Sequence, residues 1–324
     1  MMPARAKPVN FVYLRSDTYA GVQDQIFELI ERHLEGVEAT RTVEYHVDHA
    51  INFGLHIRRG RGTASRPMPI DVLMSHGLAD KSYLLASDAR GRRLINAYEH
   101  VLVAGDWFRR RLVHRRWHLP SKRVSLRPGQ IHIVGWPRLD PLFEAEAERA
   151  PTVGRRRLLW APSHDVSTRA RSFSSYPAFE PYLAELAGSF DVRASLHPTN
   201  RTDKSPTAGD LTWADIVVSD FGTMLYEAWA LGKCVIMPTW LLPAAIGAGL
   251  TQRWSAEGRV YSRRIGNHAS SFAELVDMAR ACRPPGPDVQ ALMADILAEP
   301  YRGSSARRIA SILPTLPLRR LGER

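Results

Sequence analysis

The sequence is poor in cysteine and in long apolar runs, and each shortage excludes a class of protein. Cys234 and Cys282 are its only cysteines, so neither a disulfide framework nor a cysteine-based metal motif is present, and a reducing compartment is expected. The longest apolar stretch, residues 241–250, is about half a membrane span and contains Pro243. The first residues, MMPARAKPVNFVYL, lack the apolar segment of a secretory signal. We therefore expect a cytoplasmic protein without a transmembrane helix.

Acidic residues are outnumbered by basic ones, which narrows the classes of partner. The chain has 33 Asp and Glu against 44 Lys and Arg, a formal net charge of +11 and a pI near 10.0. Such a balance favours polyanions: nucleotides, phosphate polymers, anionic lipid surfaces or nucleic acid. With 324 residues, 44% of them hydrophobic, the chain suits two globular domains of about 150 residues each.

One stretch, residues 213–238, has the order expected of a βαβ unit. Residues 215–219 are a short β-branched run typical of a buried parallel strand, and the following SDFGT interrupts it with small and hydroxyl residues. Residues 224–231 are strong helix formers that end at Gly232, and a second buried strand begins at Cys234.

The turn inside this unit is a candidate phosphate site. Ligands of parallel sheets bind beyond the carboxyl ends of the strands, where helix N-termini offer N–H groups. Ser219, Gly222 and Thr223 occupy that place, and Glu227, one helical turn later, suits a bond to ribose hydroxyls. The alternative is that Asp220 and Thr223 only cap the helix.

Two histidines occupy equivalent places at predicted strand ends. His76 follows the strand of residues 70–74 and precedes Gly77, a place that suits a general base, and Lys81 could add positive charge. His197 follows the strand of residues 192–196. Two α/β domains that each present a histidine suggest a cleft between them, although a histidine after a strand is often structural. The i, i+4 pair His114 and His118 lacks the acidic residue of a zincin, so no metal site is predicted.

The remaining pattern is also one of short buried strands alternating with helices. We expect further strands at residues 10–14, 41–47, 101–104, 131–134 and 158–161, helices at 17–34, 108–117, 179–186, 271–281 and 301–313, a mobile basic loop at 49–69, and a charged interdomain linker at 144–157. The helix at 108–117 carries five arginines around Phe108, Leu112 and Trp117. It could lie on an anionic membrane face or be an ordinary surface helix.

The order of these motifs resembles the CDP-glycerol glycerophosphotransferases that build teichoic-acid-like polymers. The family's HG-x-x-x-K pattern corresponds to His76-Gly77 with Lys81, and its GYPRxD pattern to residues 135–140, GWPRLD, which include Arg138. Its APT-type turn corresponds to 161–163 with Ser163, its HP pair to His197-Pro198, and its SDYSS stretch to 219–223. A GSSA segment at 303–306 resembles the family's closing helix. Gly222 replaces the first serine of the family's SS pair, and His164 stands near where an aromatic and arginine pair is common.

The resemblance implies an α/β, GT-B-like fold with two facing Rossmann-like domains and an interdomain cleft. The expected domains are 1–148, on the acceptor side, and 149–316, which binds the nucleotide donor; helix 301–313 would pack back on the first domain, and 317–324 is a basic tail. His76 would take the proton from an acceptor hydroxyl, which attacks the polyol-bearing phosphorus of a CDP-linked donor while CMP leaves. His197 and Arg138 would bear on the diphosphate, Ser219, Gly222 and Thr223 would hold the nucleotide phosphate, and Glu227 would hold the ribose.

The resemblance implies CDP-glycerol as the donor substrate, and no cofactor or metal is expected beyond it. The acceptor would be a polyol phosphate, a lipid-linked molecule or a glycan, and the enzyme could associate peripherally with the cell membrane.

Two alternative functions remain. SDFGT with Glu227 also resembles the nucleotide-binding stretch of UDP-N-acetylglucosamine 2-epimerases, which favours a GT-B sugar-nucleotide enzyme. A nucleic-acid-binding protein is the other, but no RNP, KH or zinc-finger pattern is present.

Overall fold

The structure is a computed structural model of the chain. It describes residues 7–13, 20–43, 49–57, 71–80, 83–119, 122–164, 174–202, 208–242 and 254–318. The described chain divides into two compact units: unit 1 comprises the residues up to His76, Ser82–Asp140 and those from Asp295 onward, and unit 2 comprises Gly77–Lys81 and Pro141–Ala294. The predicted boundary after residue 148 therefore differs from this division, which falls just after Asp140.

Unit 1 is built on a six-stranded parallel sheet in the order β2-β1-β3-β4-β5-β6. The strands are β1 (Val9–Val12), β2 (Ala39–Thr42), β3 (Ile51–Gly54), β4 (Val72–Met74), β5 (His100–Val103) and β6 (Ile131–Ile133). The helices are α1 (Ala20–Glu31), α2 (Asp106–His114), α3 (Asp140–Ala147), which starts in this unit, and α10 (Ser305–Ile312). Four of the six strands, β1, β3, β4 and β5, are fully buried runs, as expected for the centre of a parallel sheet, whereas the edge strands β2 and β6 are only partly buried.

Aromatic side chains fill the centre of unit 1. The rings of Phe11 and Phe27 lie 4.9 Å apart, and Phe53 lies 6.0 Å from each of them. All three side chains are fully buried. Phe53 belongs to β3, so the prediction of a mobile basic loop over residues 49–69 is wrong at its start, while 58–70 lie outside the described residues.

Unit 2 contains a five-stranded parallel sheet in the order β11-β10-β9-β7-β8. The strands are β7 (Arg157–Ala161), β8 (Asp191–Ala194), β9 (Ile216–Ser219), β10 (Cys234–Pro238) and β11 (Asn267–Ala269). Its helices are α4 (Leu183–Ala187), α5 (Ala208–Trp213), α6 (Thr223–Ala230), α7 (Ala256–Ser262), α8 (Phe272–Ala281) and α9 (Pro287–Ile296), whose last two residues fall in unit 1. The predicted βαβ unit is confirmed as β9-α6-β10, with the two strands paired in parallel.

The segment predicted as a charged linker is instead folded onto unit 2. Its first residues belong to α3, and Lys233, which is only 4% exposed, donates a 2.5 Å hydrogen bond to Glu146. Arg149 forms an ion pair with Asp215. Glu146 and Arg149 are thus used for packing, because Lys233 and Asp215 bring opposite charges to them from elsewhere in the chain.

Candidate functional site

The carboxyl edge of the unit 2 sheet gathers most of the predicted site residues. Strand β7 lies between β8 and β9, so the chain leaves β7 to one side and returns on the other. A crevice forms where the strand order reverses in this way, and it is the usual ligand site of open α/β sheets. Ser163 and His164 follow β7, His197 follows β8, and Gly222 and Thr223 follow β9.

Asp220 organises this edge rather than facing a ligand. Its carboxylate is fully buried; one oxygen accepts hydrogen bonds of 2.7 Å from the backbone N–H groups of Ser163 and Phe221. The other accepts from the backbone N–H of Ser175 at 2.7 Å and from its hydroxyl at 3.0 Å. Four donors saturate a buried charge and fix the turn after β7 against the turn after β9.

Ser219 and Glu227 are also inside the unit. The Ser219 hydroxyl donates to the carbonyl of Ala161 at 2.8 Å, which joins the ends of β9 and β7. Glu227 is 0% exposed and lies on α6. The predicted contacts of Ser219 with phosphate and of Glu227 with ribose remain predictions; in the structure both side chains lie beneath the surface.

Gly222 and Thr223 are the half-buried part of the turn. Gly222 is the N-cap of α6, so neither Asp220 nor Thr223, the residues of the capping alternative, occupies the N-cap position. The first-turn N–H groups of a helix have no acceptor within the helix, and they attract anions. A Cβ placed on Gly222 would meet the Cβ of Ser163 at 3.6 Å, an ordinary contact, so the family's serine would fit at this position.

The segment from Gly77 to Asp80 is built into unit 2 against this turn. A Cβ on Gly77 would lie 2.3 Å from the Thr223 hydroxyl, and the N–H of Ala79 donates to that hydroxyl at 3.5 Å. Asp80 accepts from the N–H of Ala256 at 3.0 Å, and its own N–H donates to Glu257 at 2.8 Å. The glycine after His76 is thus required by a close approach to Thr223.

His164 and His197 lie side by side, with ring centroids 5.2 Å apart. The backbone N–H of Thr199 donates to Nδ1 of His197 at 3.2 Å, and the Thr199 hydroxyl lies 2.8 Å from the same atom. Because a backbone N–H can only donate, Nδ1 of the neutral ring carries no proton and Nε2 carries it. His197 is therefore set up as an Nε2–H donor.

The histidine predicted as general base lies in unit 1, just beyond β4. The ring of His76 stacks on His56 at 4.5 Å, with 9° between the planes, and Tyr83 meets it edge-on at 4.8 Å. Burial, followed by the charge of His76, lowers the pKa of His56 to about 3. His56 thus stays neutral at physiological pH, and His76 is held between two rings. Lys81 lies outside the described residues.

The GWPRLD and GSSA segments contact each other within unit 1. Asp140 accepts hydrogen bonds from the backbone N–H groups of Ser305 at 3.1 Å and Ala306 at 2.7 Å, at the start of α10. Gly135 has φ +79°, and a Cβ on it would lie 2.2 Å from the Ser305 hydroxyl. Arg138 is 8% exposed and lies in the 3₁₀ turn between Gly135 and Asp140. Gly135 and Asp140 therefore position the last helix, and a role of Arg138 at a diphosphate remains a prediction.

Sequence reasoning missed three contributors to these sites. His56 fell within the predicted loop, Ser175 lies 45 residues from Asp220, and Thr199 was not singled out. None of them belongs to a motif; a histidine directly after a short apolar run was the one available signal, at His56. Among the described residues, no group of three His, Cys, Asp or Glu is placed to hold a metal ion, and no helix there is long and apolar enough to cross a membrane.

Comparisons with known proteins found structures of similar fold but no related sequence. No protein-family model and no curated protein sequence matches the chain. Among solved structures, the wall teichoic acid polymerase TagF matches with a TM-score of 0.60 at 10% identity, over 96% of this chain and 89% of that one. A TagF variant soaked with CDPG matches with 0.59 at 10% identity, over 96% and 88%. The S. aureus MnaA–UDP structure matches with 0.45 at 11% identity, over 95% and 96%.

The fold is GT-B-like. This chain has two parallel sheets flanked by helices, and its structure resembles that of TagF. These findings confirm the α/β class and the GT-B-like fold expected from the sequence.

Proposed function

We propose that the chain is a transferase that takes a polyol phosphate group, such as glycerol phosphate, from a CDP-linked donor in cell-surface polymer synthesis. The observation that carries the proposal is the convergence of His164, His197, Gly222 and Thr223 at the strand-order reversal of unit 2. The fold shared with TagF, a wall teichoic acid polymerase for which a soak with CDPG exists, supports the choice of donor.

The groups at this edge are of the kind that a diphosphate needs. The N-terminus of α6 supplies backbone N–H groups and the positive end of the helix dipole. Thr223 adds a hydroxyl, and His197 adds the Nε2–H fixed by Thr199. Fixed donors of this kind stabilise the charge that grows on the leaving CMP phosphate. In this proposal Ser163 and Asp220 hold the turn in shape, and Ser219 and Glu227 support it from within.

The reaction breaks one P–O bond and forms another. The acceptor hydroxyl attacks the phosphorus that carries the polyol, the P–O bond to the CMP phosphate breaks, and CMP leaves with the bonding electrons. His76 accepts the proton of the acceptor hydroxyl. The neutral ring of His56 at 4.5 Å packs against His76 without opposing the positive charge that His76 then acquires. Lys81 and Arg138 are proposed as further cations for the phosphates.

A ligand panel tests the donor. Thermal unfolding is followed with CDP-glycerol, CDP, CMP, UDP, UDP-N-acetylglucosamine and GDP. Ligand at about 100 times its Kd should stabilise the folded protein by roughly 2.7 kcal/mol. We expect stabilisation by the cytidine ligands and release of CMP with an acceptor polyol. Selective stabilisation by uridine ligands would instead favour a sugar-nucleotide enzyme.

A pair of matched variants tests the site. Thr223→Val removes a hydroxyl proposed to contact phosphate, and we expect roughly a 10- to 100-fold weaker Kd for the donor, since hydrogen bonds to charged groups contribute about 1.5–3 kcal/mol. Thr212→Val makes the same change on α5, which precedes β9 at the other edge of the sheet, and its hydroxyl bonds only the carbonyl of Gly209 among the described contacts. Equal affinities of the two variants would contradict the placement.

The general base is tested by His76→Ala, with His114→Ala, an exposed residue of α2, as the control. Loss of a general base lowers turnover by roughly 10²- to 10⁴-fold. We expect this loss of kcat for His76→Ala with the Kd of the donor nearly unchanged. A parallel loss of donor binding would show that His76 has another role.

A further inference from the structure

The chain between Asp106 and Asp140 contains no acidic residue. It holds nine arginines and lysines, at positions 109, 110, 111, 115, 116, 122, 123, 127 and 138. Since the whole chain has a net charge of +11, this region carries most of the excess positive charge. Arg138 is buried, and the exposed cations of this region could attract an anionic partner.

Helix α2 itself is not that surface, contrary to one of the sequence expectations. Its apolar side chains Phe108 and Leu112 are 5% and 1% exposed and belong to the core of unit 1. Arg109 and Arg110 form ion pairs with Asp106 at 2.6 and 2.8 Å. The helix therefore turns its apolar side inward and has part of its positive charge neutralised.

The residues that follow α2 expose their large apolar side chains to solvent. Trp117 is 89% exposed and Leu119 is 71% exposed. Large hydrophobic side chains are rarely so accessible, and two of them within three residues form an apolar tip. Arg116, Lys122 and Arg123 flank this tip in the sequence. We call residues 115–119, 122 and 123 the Trp117 loop.

The described backbone of the Trp117 loop is held by unit 1. The guanidinium of Arg93 donates to the carbonyl of Lys122 at 3.0 Å, and the amide of Asn96 donates to the carbonyl of Arg123 at 2.9 Å. The N–H of Lys122 donates to the carbonyl of Leu119 at 2.8 Å. The tip is thus presented in a defined position, so little conformational entropy is lost when it docks.

Like charges are concentrated beneath the loop. Burial, followed by the charges of Arg115 and Arg111, lowers the pKa of Arg93 from its usual value. Arg93, Arg111 and Arg115 therefore repel one another, and an anion bound at the Trp117 loop would relieve that repulsion.

We propose that the Trp117 loop docks the protein on an anionic lipid bilayer. Trp117 and Leu119 enter the interface at the level of the headgroups, and Arg116, Lys122 and Arg123 contact the lipid phosphates. Leucine has no face for base stacking, so its exposure beside tryptophan fits a lipid interface better than a nucleic acid. This surface belongs to unit 1 alone and does not depend on the proposed transferase activity.

Vesicle co-sedimentation tests the docking. The full chain is incubated with vesicles of phosphatidylcholine alone and with vesicles that also contain phosphatidylglycerol. We expect binding to the anionic vesicles only. R116Q/K122Q/R123Q should weaken it roughly 100-fold, at roughly fivefold per cation near the surface. W117S/L119S should weaken it roughly tenfold or more, because the apolar contribution is lost.

Matched controls keep the result interpretable. R263Q/R280Q/R307Q removes three exposed arginines elsewhere and leaves the same net charge as the loop variant, and W254S removes another exposed tryptophan, 66% accessible. Both should bind vesicles like the wild type. Absence of wild-type binding to anionic vesicles, or equal losses in loop and control variants, overturns the proposal. Preferential binding of an RNA oligonucleotide that the loop variants abolish would assign the surface to nucleic acid and overturn it as well.

Discussion

Replacing Asp220 by asparagine should destabilise unit 2 although the side chain keeps its size. The buried carboxylate accepts four hydrogen bonds, from Ser163, Phe221 and twice from Ser175. An asparagine oxygen can still accept from Ser163 and Phe221, but its NH₂ group would face the N–H of Ser175. The Ser175 hydroxyl already accepts from the indole N–H of Trp160 at 3.1 Å.

The magnitude follows from the bonds that change. One buried donor, the N–H of Ser175, is left without an acceptor, which costs about 1–3 kcal/mol. The remaining bonds lose their charge assistance, about 1 kcal/mol each, while removal of a buried charge offsets part of this loss. We expect a net destabilisation of about 2–4 kcal/mol, a large share of the total stability of a domain.

Urea unfolding of Asp220→Asn, followed by tryptophan fluorescence, to which the buried Trp160 contributes, measures this effect. Asp277→Asn is the control, since Asp277 is 79% exposed and lies 4.0 Å from Arg280 in a surface ion pair. The control should change the free energy of unfolding by less than about 0.5 kcal/mol. A loss for Asp220→Asn as small as that of the control would refute the view that Asp220 holds the turn.

The other predictions concern glycine contacts and pH. Gly77→Ala should lower the melting temperature, because the added Cβ would lie 2.3 Å from the Thr223 hydroxyl. Gly222→Ser should leave the melting temperature nearly unchanged, because its Cβ would lie 3.6 Å from the Cβ of Ser163. Equal effects of the two variants in thermal unfolding would contradict both predictions. Burial, followed by the charges of His100 and Arg308, lowers the pKa of His132 from 6.5 to about 4. As the pH drops, the unfolded state takes up this proton before the folded state does, so the stabilisation is fully present above about pH 6.5 and is lost towards pH 4. His132→Asn should therefore reduce the decrease of the melting temperature between pH 6.5 and 4. An unchanged decrease would contradict this role of His132.

Local patterns in the sequence predicted the elements that build the site. The β-branched run before SDFGT, the helix formers after it and the strand at Cys234 appear as β9, α6 and β10. The turn of residues 219–223 could be placed at a strand end because the order of strand, turn and helix, and the periodicity of each, are local properties of the sequence. The same holds for His76 and His197, which follow β4 and β8.

The parts that could not be predicted depend on partners far away in the chain. The role of Asp220 at the turn, as a phosphate-site residue or a helix cap, could not be decided from the sequence, because Ser163 and Ser175, which bind its carboxylate, lie 57 and 45 residues away. The charged segment after Asp140 looked like a linker because Lys233, its buried ion-pair partner, is 87 residues from Glu146. Tertiary contacts override the local preference in both cases.

The solvent exposure of individual apolar side chains could not be predicted from sequence periodicity either. Phe108, Leu112 and Trp117 lie on one predicted helical stripe, yet the first two are buried and Trp117 is exposed. The reason is that α2 ends at His114, and the 3₁₀ turn at Arg115–Trp117 redirects the chain.

Hydrogen exchange in the presence of a cytidine nucleotide tests most directly whether the turn of unit 2 binds the donor. The protein is labelled with and without saturating CDP-glycerol, and protection is followed by peptide. We predict slower exchange at residues 162–164, 197–200 and 220–224, the ends of β7, β8 and β9. Failure of the ligand to bind, or binding with protection confined to other peptides, would contradict a nucleotide site at this edge of the sheet.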